Sequence, residues 1–178
     1  MVNNYLNTQE ALKTFKTLNK RTNFEKVLDW NKTFDIETYE EPQKDIFCKN
    51  PELVNYRMNL IREEVGELED AVKTHNMVET YDALSDILFV VYGMGASLGL
   101  DLDKGLHLVN ESNMSKSCKT EEEAIKTVEW YKKNEERYDS PMYRKSKNGK
   151  YWIVYNKSTN KILKNVSWKT VNFEEIIE

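Results

Sequence analysis

The apolar and polar positions follow a helical pattern over most of the chain and change character near residue 140. Residues 8 to 19, with Leu12, Phe15 and Leu18, and residues 24 to 34, with Val27, Leu28 and Trp30, give two modest helical repeats. The polar stretch from 35 to 51 holds two of the three prolines and reads as a loop. The strongest periodicity comes next. Between 52 and 73, Val54, Met58, Ile61, Val65, Leu68 and Val72 recur at alternating steps of four and three, which marks one face of an amphipathic helix. His75 and Asn76 interrupt it, and a second helix is expected from 77 to 99, apolar nearly all round from 87 to 98 and so buried on several sides. A short helix starts after Asp101 as its N-cap and carries Leu102, Leu106 and Val109. Thr120 with Glu123 three residues on makes a capping box for a helix through Ala124, Ile125 and Val128. Beyond Asp139, residues 151 to 155 and 162 to 166 flank the turn-like Lys157-Ser158-Thr159-Asn160 and predict a β-hairpin.

Composition narrows the class. Glycine and proline together fill only 9 of 178 positions, which favours long regular elements and argues against an all-β sandwich. The longest apolar run, 87 to 100, is shorter than the ~20 residues a bilayer span needs, and no charged-then-apolar leader is evident, so a soluble cytoplasmic protein is expected. Two cysteines, Cys48 and Cys118, and two histidines, His75 and His107, in no paired-ligand spacing argue against a disulfide framework, zinc chemistry and a histidine-based triad. Charge divides the chain. Residues 1 to 140 carry 18 Lys and Arg against 27 Asp and Glu, net −9, and residues 141 to 178 carry 8 against 3, net +5. We therefore expect an all-α domain over 1 to 140 and a basic β-hairpin extension over 141 to 178. An acidic body of this kind repels duplex phosphates, which argues against a nucleic-acid partner.

The carboxylates carry the chemistry. At about 100° per residue, Leu53, Leu60, Glu64, Glu67 and Ala71 share one stripe beside the main apolar face, so two acids occupy apolar positions. Glu63 lies on the same flank as Glu67, and on the next helix Glu79, Asp82 and Asp86 fall within about 60° of one another. An antiparallel pairing of the two helices through a short connection would bring all six together. Six like charges in a partly desolvated place oppose one another's ionisation unless a cation joins them. All-oxygen donors suit Mg²⁺, with Mn²⁺ as a substitute, and Mg²⁺ at such a site favours phosphoryl chemistry. The plain alternative is a solvated helix face. Glu79 has a further one as the fourth residue of a capping box opened by Asn76. Asp82 and Asp86 resist both, because each interrupts a helix that is turning wholly apolar.

The order of these residues resembles a known family. Arg57-x4-Arg62-Glu63-Glu64-Val65-x-Glu67-Leu68, Glu79-x-x-Asp82-Ala83-Leu84-x-Asp86-Ile87-Leu88, Gly99-x-Asp101 and Val109-x-x-Ser112-Asn113-Met114-Ser115-Lys116 look like the all-α nucleoside triphosphate pyrophosphohydrolases, the MazG-like and phosphoribosyl-ATP-pyrophosphohydrolase-like proteins. The match covers about residues 24 to 120. It implies a MazG-like helical bundle, here with a small C-terminal β-hairpin, assembled as a dimer or tetramer. It also implies Mg²⁺ held by Glu64, Glu67, Glu79 and Asp82, with Glu63 as a further ligand or the group that orients the attacking water, and Asp86 in support. Asn113 and Lys116 would contact ribose or phosphate. Asn110 stands where many relatives have His and keeps hydrogen-bonding capacity. Trp30 and Asn31 have the types that stack on and hydrogen-bond a base.

The expected reaction converts a nucleoside triphosphate, deoxy or not, to monophosphate and pyrophosphate by attack at the α-phosphorus. One rival within the class is hydrolysis of phosphoribosyl-ATP. Another, from a different class, is an acidic dimerising scaffold whose hairpin aromatics, Tyr143, Tyr151, Trp152, Tyr155 and Trp168, stack on single-stranded nucleic acid. The simpler role for those aromatics is to seal the hairpin onto the bundle.

Overall fold

A computed structural model describes residues 21–178, so the helix expected over 8 to 19 lies outside the described residues. The fold is mostly helical with a small C-terminal sheet, as expected. The chain divides into two compact units, one ending at Lys104 and the other running Gly105–Glu178. No single helix among the described residues is long and apolar enough to cross a membrane.

In the first unit α1 (Asn23–Thr33) begins at a reciprocal capping box. The Thr22 hydroxyl accepts from the Glu25 amide at 3.2 Å, and the Glu25 carboxylate accepts from the Thr22 amide at 2.7 Å. The polar stretch that follows is a loop apart from a single turn, α2 (Ile46–Lys49). Asn50 caps α3 (Pro51–Lys73), with Pro51 in the first turn where its missing N–H costs nothing. Three residues then reverse the chain. His75 takes a positive φ of 54° and the Asn76 side chain accepts from the Val78 and Glu79 amides to start α4 (Met77–Leu98). The result is an antiparallel helical hairpin with α1 packed against α4. Asp103 ties this unit together, accepting from the Phe24 amide and the Tyr92 hydroxyl, each at 2.8 Å. Burial pushes the Asp103 carboxyl upward, but the donors around it outweigh that and hold it below the ordinary carboxylate range.

The end of α4 is buried on several sides, with Tyr92, Gly93 and residues 95 to 98 buried, whereas Leu88 and Phe89 in the first part of the same apolar run are exposed. The covering layer is the 36–43 loop, whose Tyr39 and Gln43 amides donate to the Ala96 and Leu98 carbonyls at 3.0 Å. Gly99 closes the helix at φ 72°, and a Cβ there would collide with the Glu41 carbonyl. Gly99→Ala therefore faces both left-handed strain and a backbone clash. It should cost at least about 2 kcal/mol of stability in denaturant melts.

The periodic stripe of α3 packs within the chain only in part, Val54, Met58, Ile61 and Leu68 being half-buried. Arg57 and Ala71 are its buried residues, whereas Val65 and Val72 remain 40% and 56% exposed. The helix is thus turned by roughly 60° from the stripe toward the flank that carries Leu53, Leu60 and Glu64.

α5 (Leu102–Met114) starts under Asp101, whose carboxylate accepts from the Asp103 and Lys104 amides. The second unit packs α6 (Glu121–Asn134), capped by Thr120, on a three-stranded antiparallel sheet of β1 (Pro141–Lys145), β2 (Trp152–Asn156) and β3 (Lys161–Ile162), in the order β1-β2-β3. Tyr143 lies opposite Val154 and Tyr155 opposite Ile162. Their shared core is Cys118, Ala124, Val128, Tyr131, Val154 and Leu163, with Tyr138, Tyr143 and Trp152 packed around it. The expected hairpin is therefore one half of a larger sheet. β1 was missed because its alternation is masked by polar Arg144 and Lys145 on a solvated edge, and β3 pairs for only two residues before the chain turns away. The tail also shares its core with α6, although the charge break falls between them.

Candidate active site and metal centre

Glu64 is half-buried on α3, and the other five acids are exposed. Desolvation pushes the Glu64 carboxyl above its ordinary range, and the charges of Asp86, Glu67, Glu63 and Asp82 push it further. Asp86 is raised as well, first by desolvation and then by Asp82. These influences cross the hairpin. Glu64 and Asp86 stand equally far from His75 on opposite helices, so an antiparallel pair sets them side by side. Five of the six sequence-selected acids thus share one electrostatic neighbourhood. Glu79, in the first turn of α4 nearer the connection, is not among the leading influences on Glu64.

Among the described residues, none of the ion pairs involves any of the six. Neighbouring acids that serve only solubility behave differently: Glu69 and Asp70 both hold Lys73, at 4.0 and 3.0 Å. Among the described residues, no group of three or more His, Cys, Asp or Glu side chains is drawn into ion-holding geometry. The donor set nevertheless fits a hard divalent cation in kind, being all oxygen, mutually repelling and uncompensated.

Trp30 is 40% exposed, tilted against Phe34 at 4.7 Å and edge-on to Phe89 of α4 at 5.2 Å. Asn31 is fully buried; its amide donates to the Gly93 carbonyl at 3.5 Å, and its Oδ1 has no partner among the described residues. Beside it lies a group that sequence reasoning left without a role, Arg57. This guanidinium is 3% exposed, donates through Nε to Ser97 at 2.9 Å, and has an unpartnered Nη2. Burial lowers its pKa. A Cβ on Gly93 would approach Arg57 Nη1 to 3.0 Å, so the glycine makes room for it. The signal was present in the sequence: Arg57 interrupts the same apolar flank as Glu64.

In the second unit, Asn110 and Asn113 are exposed near the end of α5, and the half-buried Lys116 follows it. The Lys116 ammonium donates to Asn113 Oδ1 at 2.7 Å, which leaves the Asn113 amide hydrogens for another acceptor. The tail aromatics are at most half-exposed: Tyr143 and Trp152 lie against the core of this unit, Tyr155 lies under Arg144, and the Trp168 indole donates to the Ser112 carbonyl.

The site is thus a helical hairpin bearing opposed carboxylates that form no ion pair among the described residues. Residues 27–113 match the family model of phosphoribosyl-ATP pyrophosphohydrolase, a span that contains every one of the six acids. The chain is also 30% identical to the uncharacterized protein L479 of Acanthamoeba polyphaga mimivirus, in an alignment that covers 92% of this chain and 99% of that protein. The chain belongs to the MazG-like, phosphoribosyl-ATP-pyrophosphohydrolase-like superfamily of nucleotide pyrophosphohydrolases.

Proposed function

We propose that this protein hydrolyses a nucleoside triphosphate or deoxynucleoside triphosphate to the monophosphate and pyrophosphate, by attack of water at the α-phosphorus. The observation that carries this reading is the Glu64 neighbourhood, where desolvation and four surrounding acids oppose its ionisation. Glu64, Glu67, Glu79 and Asp82 would hold Mg²⁺, with Mn²⁺ able to substitute, and Asp86 would support them. When bound, the ion supplies charge neutralisation for the triphosphate and acidifies water.

The remaining work falls to the chain. Glu63, exposed next to Glu64, accepts a hydrogen bond from the attacking water and aims its lone pair. Lys116 places a point charge on a phosphate oxygen, while the amides of Asn113 and Asn110 are suited to sugar hydroxyls. The exposed face of Trp30 offers a stacking surface for the base, and Asn31, fully buried beside it, would accept from a base amino group only on opening of that wall. The family description favours a second substrate, phosphoribosyl-ATP, which has the same bond to break.

A panel of nucleoside triphosphates, deoxynucleoside triphosphates and phosphoribosyl-ATP, incubated with Mg²⁺ while pyrophosphate and orthophosphate are measured separately, decides between these readings. We expect pyrophosphate equal to the monophosphate formed. Orthophosphate alone overturns the α-phosphorus assignment, and turnover confined to phosphoribosyl-ATP selects the second substrate.

A further inference from the structure

We infer that residues 165–169 of the basic tail act as a positioning clamp for the substrate-binding turn 112–116. The inference rests on the proposed role of Asn113 and Lys116 in contacting substrate. A helix end leaves its last carbonyls without intrahelical partners. Here the Glu111, Asn113 and Met114 carbonyls accept from the Ser115, Lys116 and Ser117 amides, and the tail partners the Ser112 carbonyl and two carbonyls just past the helix. The Trp168 indole N–H donates to the Ser112 carbonyl at 3.1 Å, and the Asn165 amide donates to the Lys116 carbonyl at 3.2 Å. The Asn165 side-chain amide donates to the Ser117 carbonyl at 3.2 Å. Two serines complete the joint. The Ser112 hydroxyl donates to the Lys169 carbonyl at 2.8 Å, and the Lys169 amide donates to the Ser115 hydroxyl at 3.1 Å, which itself donates back to Ser112.

The clamp is itself held. Asn165 is 8% exposed, and its Oδ1 accepts from the Ser167 amide at 3.0 Å and the Thr127 hydroxyl of α6 at 3.5 Å. Leu163 is buried in the α6–sheet core, and the Lys164 amide donates to the Tyr131 hydroxyl. All of these bonds use backbone or serine groups of the turn. Among the described residues the side chains of Asn113 and Lys116 bond only to each other, so the tail fixes their origin while leaving them available to a ligand. The Lys164 ammonium, 3.4 Å above the Trp168 ring, keeps a second cation at the same joint.

The test compares the full-length protein with Trp168→Phe, which removes the indole donor and keeps an aromatic ring, and with Ser115→Ala, which removes the partner of Lys169. Trp168→Phe loses one hydrogen bond, and Ser115→Ala loses its bond from the Lys169 amide together with its own bond to the Ser112 carbonyl, so KM for the preferred nucleotide should rise at least about fivefold with kcat within about twofold. In a Lys116→Ala background the increase should shrink to the share carried by Asn113. Amide exchange at residues 112–117, measured without nucleotide, should quicken about fivefold in both variants. Unchanged exchange, unchanged KM, or an undiminished KM effect in the Lys116→Ala background overturns the clamp. Quicker exchange in a protein whose parent turns over no nucleotide keeps the clamp and overturns the reaction it was assigned to.

Discussion

Replacing Glu64 by Gln is expected to lower nucleotide turnover by about a hundredfold or more while the protein stays folded, and Glu67→Gln and Asp82→Asn should behave alike. Each change keeps the shape of the side chain and its hydrogen-bonding capacity and removes one negative charge. The loss arises because a weakened cation costs both acidified water and neutralisation of the triphosphate. Stability should move the other way. Desolvation and the charges of Asp86, Glu67, Glu63 and Asp82 disfavour the ionised Glu64 carboxylate, so the metal-free Glu64→Gln protein should melt at or above the parent. Glu69→Gln and Glu111→Gln are the controls. Glu69 is exposed and held by Lys73, and removal of its charge should change stability by no more than about 0.5 kcal/mol and leave turnover at the parent rate.

The second large effect concerns assembly. On α4 Met77, Tyr81, Leu84 and Leu88 recur at steps of four and three and are 78%, 76%, 48% and 61% exposed. On α3 Val65 and Val72 of the periodic stripe are uncovered as well. Large apolar groups in register along a helix call for a partner surface, and a two-fold contact between copies of this chain would bury each residue twice. We expect a dimer or tetramer in light scattering at micromolar concentration. Leu88→Asp, which forfeits about 2 kcal/mol of burial per protomer and inserts a charge, should shift it to the monomer. A monomeric parent would contradict this prediction.

Much of this was legible from residue spacing. Helix limits followed from short-range chemistry: Asn50 and Asn76 as caps, Pro51 in a first turn, Gly99 at a left-handed end. The carboxylate group was legible because Glu64 and Asp86 break an apolar pattern at heights that an antiparallel hairpin brings level. What periodicity could not give was the rotation of α3. The stripe from Val54 to Val72 is the stronger apolar signal, yet the chain turns the flank of Arg57, Glu64 and Ala71 inward and leaves Val65 and Val72 outward. An apolar stripe records all burial, including burial against another copy, so its pattern alone does not say which surface comes from the same chain. The tail's hairpin was legible, but its bonds to the rest of its unit were not. Its long-range bonds from Asn165 and Trp168 to α5 and the following turn depend on backbone carbonyls, which have no residue code. β1 is an edge strand whose outer positions are free to be polar, so it lacks the alternation that marks β2.

Calorimetric titration of Mg²⁺ into metal-free protein, carried out on the parent, Glu64→Gln and Glu69→Gln, tests the carboxylate centre most directly. We predict saturable binding to the parent and to Glu69→Gln, and its loss or a tenfold or greater weakening, about 1.4 kcal/mol or more, in Glu64→Gln. Equal binding by Glu64→Gln and Glu69→Gln would contradict the assignment of these acids to a metal.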